Sequence, residues 1–392
     1  MRSWPFRLML VATVLGFGGY ALLLPVVPLW ASAAGELAAG ATTGALMLTT
    51  ILTQLTVPRL VARWGYRPVL GAGLVLLGAP TPLLALSSAL GPVLAVSAAR
   101  GVGFGLLTVV GSALVAELVP PAEHGRAAAR YGVAIGVPQL VLLPAGVAVV
   151  DLAGFTGVFV AAGVAPLLGL LALPALRVPG PMAAVGGPGR ATPRPQAGDP
   201  VGSAWRPLVA MLTCSMAQGG LVTFLPLAVP GTAALVAAAL LVTAAGALAG
   251  RTAAGRLVDR HGMGGRLLRP GMALAAVGMG VEVLALGAPG PLLVLGAAAV
   301  GVGFGLVQND ALTAMFAASG PAGYGSASAA WNIAYDAGTG IGAVGLGAVA
   351  DPFGFRAAFG LSAVVLLVAG VPWARRPGRR EAQCRKSPWP SG

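Results

Sequence analysis

The chain has 392 residues, of which 57% are hydrophobic and only 9% charged, and it carries a net charge of +13. A soluble domain carries about 25% charged residues, so this chain cannot cover a water-facing surface with charge, and a soluble enzyme or adaptor is excluded. The alternating strands of about ten residues that build outer-membrane barrels do not occur in it either.

Apolar runs of about 20 residues, the length that spans a hydrocarbon core, recur along the chain. They predict an all-α polytopic membrane protein with twelve transmembrane helices. In chain order the first six spans are 8–30, 40–60, 68–88, 93–119, 131–150 and 155–176. The second six are 207–229, 233–252, 270–288, 291–318, 326–349 and 353–373. Proline or glycine marks or flanks many of these ends, as expected of helix punctuation. The first run follows Arg2 and Arg7 and closes near Ala31-Ser32-Ala33, the outline of a cleavable signal. It is longer than a usual signal core of about 7–15 residues and is broken by Pro25 and Pro28, which favours a retained span.

With the N-terminus inside, every basic residue except Arg100 and Arg356 falls in an inward-facing segment. This is the asymmetry of the positive-inside rule. It places both termini in the cytoplasm and the chain, multi-pass, in the inner or plasma membrane. Topology thus accounts for the high net charge, and nucleic-acid binding drops out. Cys214 in an apolar run and Cys384 in the basic tail make neither a disulfide framework nor a metal-ligand spacing. The two histidines, His124 and His261, sit in inside loops with no nucleophile–base–orienter set around them. Phosphate-binding loops are absent as well. The expectation is therefore a protein that is not an enzyme and has no cofactor or metal.

The sequence repeats itself at an offset of 200. Gly101-Val102-Gly103-Phe104-Gly105-Leu106 recurs as Gly301-Val302-Gly303-Phe304-Gly305-Leu306, and Asp151, Gly154, Phe155 and Phe159 recur as Asp351, Gly354, Phe355 and Phe359. Leu24-Pro25 near the start of the first half matches Leu225-Pro226 in the second. The predicted organisation is an N-terminal six-helix half (1–177), a proline- and glycine-rich cytoplasmic linker (178–206), a C-terminal six-helix half (207–374) and a basic cytoplasmic tail (375–392). Two parallel six-helix repeats are a transporter architecture, with the substrate site between the halves near the midplane.

Between spans 8 and 9 stands Gly255-Arg256-Leu257-Val258-Asp259-Arg260-His261-Gly262. It resembles the loop motif of the major facilitator superfamily: a glycine, three residues, Asp-Arg, one residue and glycine. The resemblance extends over essentially the whole chain, from Leu8 to Trp373, although its specific motifs are few. It implies a secondary transporter working by alternating access, with Gly255, Asp259, Arg260 and Gly262 in a cytoplasmic gate closed against span 5 near Arg130. Asp259 suits that role physically, because a carboxylate is attracted to the positive N-terminal end of a neighbouring helix. The first-half copy, Pro58 to Gly65, keeps Arg63 and Gly65 but has Pro58 for the glycine and Ala62 for the acid. In span 4, Ser97 holds the place of the family's usual arginine, and Arg100 lies three residues on, roughly one turn along the same face. Arg100 then organises protons, binds an anionic group, or snorkels to the interface. Gly132, Gly136, Pro144 and Gly146 of span 5 partly resemble the family's antiporter motif, with Leu143 where a glycine is expected. Small residues at such spacing also serve plain helix packing.

Two carboxylates stand inside spans 10 and 11: Asp310 beside Asn309, and Asp336 one turn beyond Asn332. A carboxylate in a membrane-spanning helix costs about 2.5–3.5 kcal/mol on insertion scales and is a functional candidate by default. Set at similar depths on consecutive helices, the two would not both ionise comfortably, which suits reversible protonation. Asp336 and Asp310 are accordingly the expected proton-coupling pair. Asn332, Tyr335, Asn309, Arg100 and Gln54 are the expected lining of the substrate cavity. Thr49, Thr53 and Thr56 form a stripe beside Gln54, either a cavity wall or a set of intrahelical hydrogen bonds. Glu282, near the end of span 9, is expected to reach the interface. A mostly uncharged lining favours a small amphipathic substrate, so the expected function is proton-coupled export of a metabolite or drug by a monomer whose partners are substrate, protons and membrane lipid. Proton-coupled nutrient uptake and a non-transporting membrane sensor are the alternatives.

Overall fold

The computed structural model describes residues 4–120, 123–174, 176, 200–319 and 324–370, so most of the predicted linker and the whole basic tail lie outside the described residues. Among these residues every element is helical. The helices are α1 (Trp4–Leu23), α2 (Val26–Ala31), α3 (Glu36–Gln54), α4 (Val57–Trp64), α5 (Tyr66–Gly78) and α6 (Leu90–Leu118). They continue as α7 (His124–Gly169), α8 (Pro200–Ala228), α9 (Ala233–His261), α10 (Leu268–Ala285), α11 (Pro291–Ser319) and α12 (Tyr324–Gly370).

Helix breaks follow the local chemistry. Pro25 interrupts the first apolar run between α1 and α2. The second run, expected as one span over 40–60, begins instead at Glu36 and breaks after Gln54, where α4 departs at 55°. Pro58 sits in the first turn of α4, a position that needs no amide hydrogen but cannot lie in an unbroken helix interior. Pro80 and Pro82 likewise end α5 at Gly78 and turn the rest of the third run into a 3-10 turn over Thr81–Leu86.

At the other extreme, α7 and α12 are each about twice as long as a span. Each is broken at one residue, Gly154 with φ 68° and ψ 170° and Gly354 with φ 77° and ψ 168°. Only glycine enters that region without steric cost, and these are the two glycines that recur at the 200-residue offset. Nine helices are long and apolar enough to cross a membrane among the described residues, ten when α3 and α4 count as one bent span. The apolar side chains of Leu152, Leu171, Leu284 and Val368 stand more than half exposed, as lipid-facing positions do.

Helix packing is also paired across the two halves. In the first half α1 packs on α7, and α6 on both α3 and α5. In the second, α8 packs on α12, and α11 on both α9 and α10. The repeated glycine motif makes this possible. Any Cβ on Gly101 or Gly105 would run into α3, and one on Gly103 into Gly73 and Leu77 of α5. Gly301 and Gly305 press in the same way on α9 at Thr243 and Ala247, and Gly303 on α10 at Gly271 and Ala275. The motif is thus a three-helix junction built twice. Where no solvent drives helices together, such close backbone approach supplies the van der Waals attraction that does.

Candidate functional site

The two largest contacts between the halves are α3 with α12 and α7 with α9, and α2 and α3 also touch α8. The first is an antiparallel glycine seam. A Cβ on Gly40 would strike the Ala343 backbone, one on Gly44 the Val344 side chain, and one on Gly347 the backbone at Glu36 and Leu37. A Cβ on Gly340 would sit 3.0 Å from the Met47 Cβ. At one end of the seam the Asp351 carboxylate accepts a hydrogen bond from the Glu36 amide, 2.5 Å away, and so caps the first turn of α3. At the other end the Gln54 Nε2 donates to Asp336 Oδ2 at 2.9 Å. Past this bond the helices part, because α4 turns onto α5 and α6.

Asp336 is only 4% exposed, and among the described residues Gln54 is its one hydrogen-bond partner from across the seam. The same Gln54 Nε2 lies 3.4 Å from Thr108 Oγ1 on α6. Tyr20 of α1 is fully enclosed, within electrostatic range of Arg100, Tyr335 and Asp336, and Tyr335 is in similar range of Arg251 on α9. Aromatic rings frame this centre from both halves. Tyr20 stacks on Phe104 at 3.9 Å between centroids, with Phe17 edge-on to Phe104 at 5.2 Å. Tyr335 lies 5.9 Å from Phe304 and stacks at 6.3 Å with Trp331. Phe104 and Phe304 are equivalent positions of the repeated motif. Asp336, Gln54, Tyr335 and Arg100 are therefore brought to one centre. Tyr20 and Thr108 join them without having been singled out from sequence. A tyrosine beside Gly18-Gly19 in an otherwise apolar span was the available signal for the first.

Asp310 is elsewhere. Its Oδ1 accepts from the Gly265 amide at 2.7 Å and its Oδ2 from the Leu267 amide at 2.8 Å, so both oxygens are committed to the turn between α9 and α10. No hydrogen bond joins the two aspartates, so the structure does not bring the expected pair together. Placement on consecutive helices did not mean a shared face. The first half ties down its corresponding turn with a different acid: Glu117 Oε1 accepts from the Tyr66 hydroxyl at 3.3 Å, at the start of α5. The positional counterpart of Asp310 is Val110. Glu117 lies seven residues further on, about two turns along the same helix face.

The remaining expected cavity residues face other ways. Asn332 is exposed and donates back to Ser328 O in its own helix at 2.9 Å. Asn309 stands near Gly255, whose Cβ would be 3.9 Å from the amide nitrogen. The threonine stripe is largely spent on backbone: Thr49 Oγ1 bonds Ala45 O at 2.9 Å and Ala98 O of α6 at 2.9 Å, and Thr56 bonds Thr53 O at 2.8 Å. Glu282 does not reach an interface. It is 0% exposed, buried where Gly278 and Gly296 bring α10 and α11 together, with Oε1 2.8 Å from where a Gly296 Cβ would be.

In the loop motif, Gly262 adopts the left-handed conformation (φ 61°, ψ 31°) that ends α9, its amide bonded to Val258 O at 3.0 Å. Gly65, with φ 80°, ends α4 in the first-half copy. The closing glycine of each copy is thus a helix stop that a side chain would strain. Asp259 and Arg260 are exposed at the tip of α9, and Arg63 is exposed with its guanidinium 5.9 Å from the Trp64 ring centre. Among the described residues neither Asp259 nor Arg63 forms an ion pair.

These features define a multi-pass, all-helical membrane protein whose halves meet around buried polar residues. Residues 9–343 match the description Major Facilitator Superfamily, and the chain belongs to that family of membrane transporters. No curated protein matches the sequence. Solved structures share the fold at low identity. A bacterial homolog of the human lysosomal transporter Spinster, inward-facing and occupied, is 15% identical with a TM-score of 0.70, covering 94% of this chain and 95% of its own. The peptide transporter POT with sulfate is 17% identical with a TM-score of 0.76, covering 94% and 93%. A mutant of POT is 16% identical with a TM-score of 0.76 over the same shares.

Proposed function

We propose that this protein is a proton-coupled secondary transporter that exports a small amphipathic molecule by alternating access. In this reading α7 and α12 each cross the membrane twice, turning at Gly154 and Gly354. With α3 and α4 as one bent span, the chain then has twelve spans in two six-helix repeats, divided at the 178–206 linker. The placement of arginines in the sequence supports cytoplasmic termini and a plasma or inner membrane. The Glu36–Asp351 end of the seam then faces outside, and the Gln54–Asp336 end lies towards the cytoplasm.

The observation that carries the reading is the Gln54–Asp336 hydrogen bond between the halves. A charged carboxylate in this dry contact costs far more than a neutral one, whereas in water the charged form is cheap. Proton binding at Asp336 and closure of the α3–α12 contact are therefore linked equilibria: each biases the other by the same free energy. A carrier that must bind a proton to close, and release it to reopen, couples substrate movement to the proton gradient. Asp310 holds the α9–α10 turn and takes no part in coupling. The Gly255, Asp259, Arg260 and Gly262 motif and its Arg63 and Gly65 copy work as the cytoplasmic gate, with Asp259 engaged when that side closes.

The test is reconstitution into liposomes with an imposed pH gradient and a panel of amphipathic compounds. Export predicts substrate movement opposite to the proton flow. Movement of both in the same direction makes the protein an uptake system instead, and no gradient-dependent flux across the panel contradicts transport.

A further inference from the structure

Arg100 is the largest fully buried side chain, 2% exposed, and the structure gives it no counter-ion among the described residues. An arginine keeps its charge in proteins and carries five N–H donors in a planar fork. Here one of them reaches Gly19 O at 3.4 Å, and Nε has no acceptor at all. Two further buried groups nearby are also without partners, the Tyr20 hydroxyl and the Ser97 hydroxyl one turn before Arg100. Three unsatisfied polar groups on α1 and α6, one of them a cation, are costly in a low-dielectric interior unless something binds them.

Arg100 and Ser97 line a cavity of about 10 Å³ whose other walls are mostly aliphatic, Leu23, Leu24, Val27, Pro28 and Leu46, with Thr42 and Thr43 beside them. That is room for one water or one carboxylate oxygen. Gly19, which accepts from Arg100, is followed by Tyr20, whose ring stacks on Phe104.

We propose that Arg100, with Ser97 and Tyr20, is the subsite for a carboxylate, and that the transported molecule is an amphipathic monoanion with an apolar or aromatic body. The inference rests on the transport reading and narrows its substrate. A guanidinium binds a carboxylate through two parallel hydrogen bonds, and the two hydroxyls can donate to the same oxygens. Leu23, Leu24, Val27, Pro28 and Leu46 accept an apolar body, and the Thr42 hydroxyl in the same lining is spent on Ala39 O of its own helix. One cation in an apolar wall matches one negative charge. A phosphate monoester, with close to two charges at neutral pH, fits it poorly. Among the described residues Asp336 forms no ion pair with Arg100; its carboxylate is bonded to Gln54 across the seam.

The experiment uses the purified full chain and three sets of compounds with the same aryl-alkyl body, as carboxylate, primary amide and amine. Binding is followed by tryptophan fluorescence and flux in proteoliposomes. The acids are expected to bind about tenfold or more tighter than the amides, and Arg100→Gln to weaken acid binding by about ten- to a hundredfold while leaving the amides within about twofold. Ser97→Ala and Tyr20→Phe each remove one donor without disturbing a charge. They are expected to weaken acid binding by about two- to tenfold, and they keep the test alive if Arg100→Gln does not fold. Amides that bind as tightly as acids, or acid binding indifferent to all three substitutions, overturn the proposal. So does an Arg100→Gln protein that changes only the pH profile of transport and keeps the preference for acids, because Arg100 then serves Asp336. Acids that bind in an Arg100-dependent way but are never moved sustain the subsite and contradict transport. Neutral or cationic compounds moved by the proton gradient sustain transport and overturn the subsite.

Discussion

Asp336 and Asp310 are both buried carboxylates in the second half of the chain, a single helix apart, yet they are held in opposite ways. Both oxygens of Asp310 are taken by backbone amides of one turn in its own half. Asp336 accepts from a single side chain that belongs to the other half. An acid fixed by backbone within a rigid unit stabilises that unit and has little to report about its motion. An acid whose partner lies across a movable contact changes environment each time the contact opens. A carboxylate inside a membrane is therefore read by what its oxygens touch, since burial alone does not separate the two.

Of the substitutions that would separate the two acids, Asp310→Ala has the largest expected effect on stability. Removing the acceptor leaves the Gly265 and Leu267 amides bare, which costs about 2–4 kcal/mol and should lower the detergent unfolding temperature by several degrees. Protein that survives should retain gradient-driven transport. Unchanged thermal stability with lost coupling would exchange the roles of the two acids.

Gly40→Leu is next. The new side chain meets the Ala343 backbone, and overpacking of this kind costs about 1–3 kcal/mol or more. The expected outcome is a protein that folds but holds the α3–α12 seam apart, measured as loss of a disulfide cross-link between cysteines placed at Ala39 and Leu346. Gln54→Leu leaves Asp336 without its donor, a change of about 1–3 kcal/mol in the balance of its two protonation states. The pH midpoint of transport should move with little change in unfolding temperature. Tyr66→Phe has the smallest effect: loss of the bond to Glu117 should cost about 0.5–1.5 kcal/mol. It should register in thermal unfolding and leave coupling intact, as expected if Glu117 does for the first half what Asp310 does for the second.

Much of the fold was legible in the chain. Hydropathy marked the membrane-crossing runs, and the Gly101–Leu106 and Gly301–Leu306 repeat marked the paired packing that each copy performs. Gly154 and Gly354 were visible as repeated glycines, although that each breaks a double-length helix needed the backbone. The bend after Gln54 was missed because hydropathy runs through it without a change, while Pro58 tolerates a first turn as well as a break. Legibility of the site was poorer, for a physical reason. Gln54 and Asp336 are 282 positions apart in sequence, and no local pattern reports which helix faces meet across the halves. Asp310 and Glu282 carried the same local signal as Asp336, an acid in an apolar run. Only the packing separates a turn anchor and a carboxylate sealed over Gly296 from a group at the seam.

If Asp336 couples the seam to the proton, Asp336→Asn should uncouple it. The asparagine nearly keeps the shape and can still accept from Gln54, but it cannot take up or release a proton. In proteoliposomes the variant should still exchange substrate for substrate across the membrane with no gradient applied. Accumulation driven by a pH gradient should fall to background. Gradient-driven accumulation at the level of the unsubstituted protein would contradict the account.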